Sequence, residues 1–231
     1  MARFLDDALE VAFTIPKAYN ARMGLDRSGL PFIVGALLLT AIVWMTMGLR
    51  WSLPFLVAAG FFAFFFRDPP RTVPPTDRSM VIAPADGRVL VAGEGQEGVA
   101  PAGTWRQISI FLSPLDVHVN RVPVSGRVLR VEQSHGQSLP AYRQEAASAN
   151  SRSEIWMDAD GRVVVFRQVV GIVARRIVCR LQPGQIVQAG DRFGIMKFGS
   201  RMDVFLPPDA TLRVSKGDKV RSGETILARL S

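Results

Sequence analysis

Within "MKFGSRMDVFLP", residues 196–207, a small nucleophile, Ser200, directly follows Gly199 inside what otherwise reads as strand. Glycine lacks a Cβ, so the bond between the two can take a geometry that most residues forbid. The serine can be a turn residue, a nucleophile, or a residue that is itself consumed. A second cluster is "SPLDVHVNRVP", which presents Asp116, His118, Asn120 and Arg121. Alternation along a strand would put Asp116, His118 and Asn120 on one face, which calls for an exposed surface or a site. An imidazole titrates nearest to neutral pH and can move protons, although a lone strand histidine is more often structural. "APADGRV" sets Asp86 at a turn, where the plainer reading is an aspartate capping its own backbone. Arg175 and Arg176 end a strongly apolar run, as solvated charge or as phosphate contacts.

These groups need a scaffold, and the pattern after residue 77 is that of many short strands. "VIAPADGRVLVAG", "RQISIFL", "GRVLRVEQ", "GRVVVFRQVVGIVARRIVCRL" and "ATLRVS" are β-branched runs punctuated by Gly, Pro and Asp. Residues 140–154 form a polar, alanine-containing interval, either a short helix or a loop. Two echoes stand out. "GRVL" occurs at residues 87–90 and 126–129, and "GQIVQAGDRFGI" (184–195) resembles "GDKVRSGETILA" (217–228). The expected fold is therefore mainly β, a flattened barrel or sandwich with hairpin repeats of biotinyl/lipoyl type. That pattern carries a rival function. Met196-Lys197-Phe198 lies between the echoes, where a carrier domain would hold its modified lysine, and on that reading Ser200 is inert.

Upstream the composition changes. "LPFIVGALLLTAIVWMTMGL", residues 30–49, has no charge and as a helix would be about 30 Å long, the thickness of a bilayer's hydrocarbon. After Arg50 a second apolar run, residues 51–66, carries Pro54 and reads as the return arm of a hairpin or a re-entrant segment. Residues 4–12 alternate apolar and acidic side chains as an amphipathic helix or an ordinary core helix would. "RDPPRTVPPTD", residues 67–77, holds four prolines and marks the boundary between residues 1–66 as helical membrane anchor and residues 67–231 as β-rich domain. Arg22 and Arg27 flank one end of the apolar stretch and Arg67, Arg71 and Arg78 the other. With both ends on one side, the positive-inside bias puts the domain in the cytoplasm, at the cell membrane.

Net charge is +8, with 23 Lys+Arg against 16 Asp+Glu from residue 67 onward and 5 against 4 before it. No basic run with interleaved aromatics is present, so the surface suits anionic lipid better than nucleic acid. The single cysteine, Cys179, cannot make an intrachain disulfide, and with only two histidines a structural metal site is not expected.

Taken in order, "FFRDPPR", "PADGRV", "SPLDVHVNRVPVSGRV", "GIVARRIV" and "KFGSRMDVFLP" resemble the short form of the phosphatidylserine decarboxylase proenzymes, over most of residues 64–210. The resemblance implies self-cleavage between Gly199 and Ser200, giving chains 1–199 and 200–231, with Ser200 becoming a covalent pyruvoyl cofactor. It implies decarboxylation of phosphatidylserine to phosphatidylethanolamine at a membrane, through a Schiff base to that group. A pyruvoyl ketone supplies the electron sink that decarboxylation of an α-amino acid needs. By the same resemblance His118 assists decarboxylation and reprotonation, Asp86 assists self-cleavage, and His135 belongs to a substrate loop. Longer relatives read His-x-x-His-x-Pro, whereas here Arg121 stands in the second histidine's place before Pro123. Arginine is no general base at neutral pH. Asp86 then acts directly or through water, or Arg121 stabilises the oxyanion that develops in self-cleavage; Arg121 is also a substrate-binding candidate, with His135, Arg175 and Arg176. A homodimer is compatible with the sequence.

Overall fold

The computed structural model describes residues 24–74, 77–143, 145–171, 177–197 and 199–231. The amphipathic stretch at 4–12 and Arg175 and Arg176 lie outside them. The apolar N-terminal runs form a helical hairpin, α1 (Leu30–Met47) and α2 (Leu49–Phe65). Pro31 sits in the first turn of α1, where its missing N–H costs nothing, and Gly48 at φ 90° reverses the chain. Phe32 of α1 packs against Phe62 and Phe66, each with ring centroids 5.5 Å away. Leu37, Leu38, Ile42, Trp44 and Val57 remain exposed. The helical stretch Arg27–Met47 is long and apolar enough to cross a membrane, while α2 is shorter. The hairpin's open end meets the β domain. There Asp26 N–H donates to Phe66 O at 2.8 Å, and the Arg67 guanidinium donates to Leu115 O at 2.6 Å.

The rest is mainly β, with antiparallel pairing throughout the named strands. β1 (Met80–Ile82), β2 (Gly87–Glu94), β3 (Arg106–Leu112), β4 (Val119–Arg121), β5 (Gly126–Ser134), β6 (Arg152–Ala159) and β7 (Arg162–Val170) come first. They are followed by β8 (Ile177–Cys179), β9 (Ile186–Val187), β10 (Arg192–Met196), β11 (Ser200–Leu206), β12 (Thr211–Leu212), β13 (Lys219–Val220) and β14 (Ile226–Arg229). Eight strands form one sheet in the order β13-β2-β3-β11-β7-β6-β5-β9, and β1-β14-β12 and β4-β10-β8 form two smaller sheets. The polar interval contains one helical turn, α3 (Ala146–Ala149). The expected strand through Asp116 is shorter than the alternation suggested, because Asp116 turns back to accept the N–H of Ser113 at 2.8 Å.

β11 is central, between β3 and β7, and every residue in it is buried. Its alternation assigns two faces. Met202, Val204 and Leu206 join the main core with Ile108, Ile110, Leu112, Val164 and Phe166. Arg201 and Asp203 point to the other face, where burial is tolerable because Arg201 Nε donates to Asp203 at 2.6 Å and Ser109 Oγ bridges both.

The two sequence echoes occupy equivalent places. Gly87-Arg88 pairs with Val220-Lys219 at one edge of the large sheet, and Gly126-Arg127 with Val187-Ile186 at the other. Each GRVL strand then shifts register around its leucine, between Val89 and Val91 and between Val128 and Arg130. The second strand of each echo leaves for a small sheet: β10 pairs with β4, and β14 with β1.

Candidate active site

Gly199 has φ 71°, in the left-handed region that glycine enters freely and other residues enter at a cost. Its carbonyl oxygen lies against Gly171, where an added Cβ would come within 2.3 Å of it. A glycine on each side therefore lets the two backbones approach. Ser200 follows as the first residue of β11, paired to Leu112 and Val170. It is fully buried, and its Oγ has no hydrogen-bond partner. A buried hydroxyl left unbonded is costly and calls for an explanation.

Ser200 shares its face of the sheet with Gln168, whose strand partner is Met202, two residues along. Gln168 Nε2 donates across to Asn120 Oδ1 at 2.8 Å, which leaves Gln168 Oε1 and Asn120 Nδ2 buried without partners. Exchanging O and N in both amides would leave one donor and one acceptor spare just the same. His118 is two residues before Asn120. Its Nδ1 lies 2.9 Å from Asp116 O, so Nδ1 carries the proton and Nε2 presents its lone pair, buried and without a partner. The ring of Phe65 lies over the imidazole with centroids 4.2 Å apart. Burial pushes the His118 pKa down to about 4, with Arg67 adding to the effect and Asp116 opposing it. The imidazole is therefore neutral at physiological pH. Four unused polar atoms thus lie along Ser200's face and the adjoining β4 segment.

Asp86 lies at the predicted turn, and its carboxylate is committed. Oδ1 accepts Ser222 N–H at 2.8 Å and Oδ2 accepts Arg71 at 2.7 Å. No direct hydrogen bond joins it to Ser200 Oγ. A cavity of about 590 Å³ opens beside Asp86 and Asp116, with Phe111, Arg88, Lys219 and Arg221 also in its wall. Ser200 is not among its lining residues. The Ser200 hydroxyl is thus buried and separate from that cavity.

The Arg121 guanidinium is committed to other partners. The residue pairs with Arg192, at the end of β10 opposite Met196. Its guanidinium donates to Asp68 at 3.0 Å and to Gly190 O at 3.1 Å, and Arg192 pairs with the same carboxylate. Burial raises the pKa of Asp68 while Arg192 and Arg121 pull it down. His135 is exposed, beyond the end of β5. The Lys197 ammonium lies 4.7 Å from the Phe32 ring centroid and 5.7 Å from that of Phe66, among the hairpin's aromatics. A carrier lysine has to swing between partner enzymes, so this placement disfavours the carrier reading. Among the described residues no cluster of His, Cys, Asp or Glu could hold a metal ion.

Sequence reasoning missed Gln168 and Phe65. Gln168 left one trace, an amide inside the apolar run "VVVFRQVVG". Phe65 opens the segment "FFRDPPR", but as one of several phenylalanines in an apolar run it gave no sign of its contact with His118.

A family model described as phosphatidylserine decarboxylase matches residues 58–228. The phosphatidylserine decarboxylase proenzyme of Pelodictyon phaeoclathratiforme is 48% identical over 169 residues, 73% of this chain and 79% of that protein. That of Salinibacter ruber is 46% identical over 187 residues, 78% of this chain and 82% of its own. The proenzyme of Cupriavidus taiwanensis is 41% identical over 206 residues, covering 88% and 94%.

Proposed function

The chain belongs to the phosphatidylserine decarboxylase family, and from that premise we propose that it decarboxylates phosphatidylserine with an electrophile made from its own backbone at Ser200. The observation that carries this reading is the buried, unpartnered Ser200 Oγ directly after a left-handed glycine. Ser200 Oγ loses its proton and attacks the Gly199 carbonyl carbon. The peptide C–N bond breaks, nitrogen takes a proton, and an ester joins the two residues. Loss of the Cα proton of residue 200 and cleavage of its Cβ–Oγ bond release Gly199 as a carboxylate. Water then replaces the nitrogen, ammonia leaves, and residue 200 ends as a pyruvoyl ketone. Once formed, that group supplies the sink for the electron pair left when CO2 departs.

The chain's own residues handle the protons. Asp86 takes the Ser200 proton through water, because Arg71 and Ser222 already hold its oxygens. The lone pair on His118 Nε2 accepts a proton from the substrate ammonium and returns it to the substrate Cα, a task that suits an imidazole kept neutral by burial. Arg121 enters as a frame residue holding Asp68, with no part as an oxyanion donor. The cations around the cavity, Arg88, Lys219 and Arg221, suit the phosphate of the headgroup, and His135 is assigned to the substrate loop.

We also assign residues 1–66 to the anchor and 67–231 to the catalytic domain, cut between 199 and 200, with the domain on the cytoplasmic face. The exposed apolar hairpin supports the anchoring, because a lipid substrate then needs only lateral encounter. The equivalent hydrogen bonding of the two echo units favours a flattened barrel of biotinyl/lipoyl type. A Ser200→Ala variant tests the assignment. It is expected to fold, remain one chain on a denaturing gel and release no CO2 from phosphatidylserine, and normal turnover from it would contradict the reading.

A further inference from the structure

The hairpin does more at the β domain than end there. The last residue of α2, Phe65, and the following Phe66 are fully buried in a cluster with Val117, Val119 and Ile195. The Phe65 ring covers the His118 imidazole at 4.2 Å, tilted by 33°. Next along the chain, Arg67 donates to Leu115 O, so the end of α2 grips both sides of Asp116. A tether needs none of this, because a flexible linker would serve.

We propose that the end of α2 is a working part of the active site and that Phe65 is a positioning residue for His118, so that the membrane hairpin shapes the catalytic imidazole as well as reaching the bilayer. The inference rests on the proton-transfer role read for His118 above. The Phe65 ring keeps water from one face of the imidazole, and the bond from Nδ1–H to Asp116 O fixes its rotation. Charged groups around it are Asp116 on its own segment, Arg67 after α2 and Lys197 after β10. None of them gives Nε2 a partner. Aromatic packing, with no carboxylate bonded to the ring, therefore holds the group neutral and aimed. Loosening the hairpin should then impair chemistry even on a substrate that needs no membrane.

The test uses the full chain in detergent, labelled with 15N-histidine. Only His118 and His135 contribute signals, and His135→Gln assigns them. Phe65→Leu keeps an apolar side chain without the flat face, and Phe62→Leu is the control within the same aromatic cluster. The turnover assay uses dihexanoyl phosphatidylserine below its micellar concentration. In Phe65→Leu we expect normal release of the 200–231 fragment and a His118 midpoint moved up from about 4 toward the ordinary imidazole value. We also expect kcat lower by about tenfold or more at little-changed KM. Phe62→Leu should change neither. An unmoved midpoint and unchanged kcat in Phe65→Leu would overturn the proposal and leave the hairpin as a tether. A moved midpoint with unchanged kcat would uphold the hold on His118 and instead remove that histidine from the chemistry. If Phe65→Leu does not fold, Phe65→Met carries the same comparison.

Discussion

The turn that carries Asp86 and the turn that carries Ser125 are built alike. Ile82 N–H donates to Pro123 O and Arg121 N–H to Pro84 O, each at 2.9 Å, so the two segments cross one another reciprocally. Ala83 and Val122 donate to Thr225 and Asp191, and receive the N–H groups of Gly223 and Gly190. Three residues further on, one side chain caps each turn: Asp86 Oδ1 accepts Ser222 N–H at 2.8 Å, and Ser125 Oγ accepts Ala189 N–H at 2.9 Å. A hydroxyl is therefore enough for the fold. The second carboxylate oxygen of Asp86, held by Arg71, is surplus to it. The same comparison further upstream sets Ser79, which receives Leu230 N–H on its carbonyl, against His118, which receives that of Met196. Ser79 lies near the surface, while His118 is buried under Phe65. Where the halves agree the residues serve the fold, and where they differ, at Asp86 and His118, stand the residues proposed above for the chemistry.

Making the halves alike should be the most damaging change. Asp86→Ser keeps a cap for Ser222 N–H and leaves Arg71 with Glu224, so the fold should survive. Self-cleavage should slow by roughly 100-fold or more, followed as loss of the full-length band with time. Wild-type cleavage in this variant would make the two turns equivalent after all. Next in size is a pH effect confined to the half that holds His118. Its imidazole titrates at about 4 when folded against 6.5 when unfolded, so the unfolded chain binds more protons between those values. Stability from this burial is complete above pH 6.5 and is lost as pH falls toward 4, by about 3 kcal/mol. Urea unfolding in detergent at pH 7 and pH 4.5 should show that loss in the wild type and not in His118→Asn. The smallest effect is expected at the other turn. Ser125→Ala removes the cap on Ala189 N–H and should cost about 1 kcal/mol, read as a lower urea midpoint, with cleavage and turnover unchanged.

Much of this was legible in the residues. The GRVL and glycine echoes reflect equivalent pairings at the two edges of the large sheet, because a turn glycine and a bulged strand are needed twice. Two apolar segments were legible as such, while the sequence left the second open between the return arm of a hairpin and a re-entrant segment; it forms α2 of a hairpin. The Gly-Ser step stood out because a small nucleophile directly follows a glycine inside an apparent strand, and that strand proves to be wholly buried. What was not legible depended on contacts between distant segments. Arg121 stands where longer relatives place a histidine, yet its partner, Asp68, lies far back in the chain. Gln168 and Asn120 meet only when β7 faces β4. Phe65 reaches His118 only because the hairpin doubles back. Alternation also overran the strand at Asp116, where a side-chain bond to the Ser113 backbone favours a turn.

The central claim is most directly tested by the intact mass of the purified wild-type protein. We predict two species, residues 1–199 ending in a free carboxylate and residues 200–231 lighter by one ammonia than a peptide beginning with serine, the latter blocked to Edman degradation and reactive with a hydrazine. A single active chain, continuous through residue 200 with its hydroxyl intact, would contradict the account.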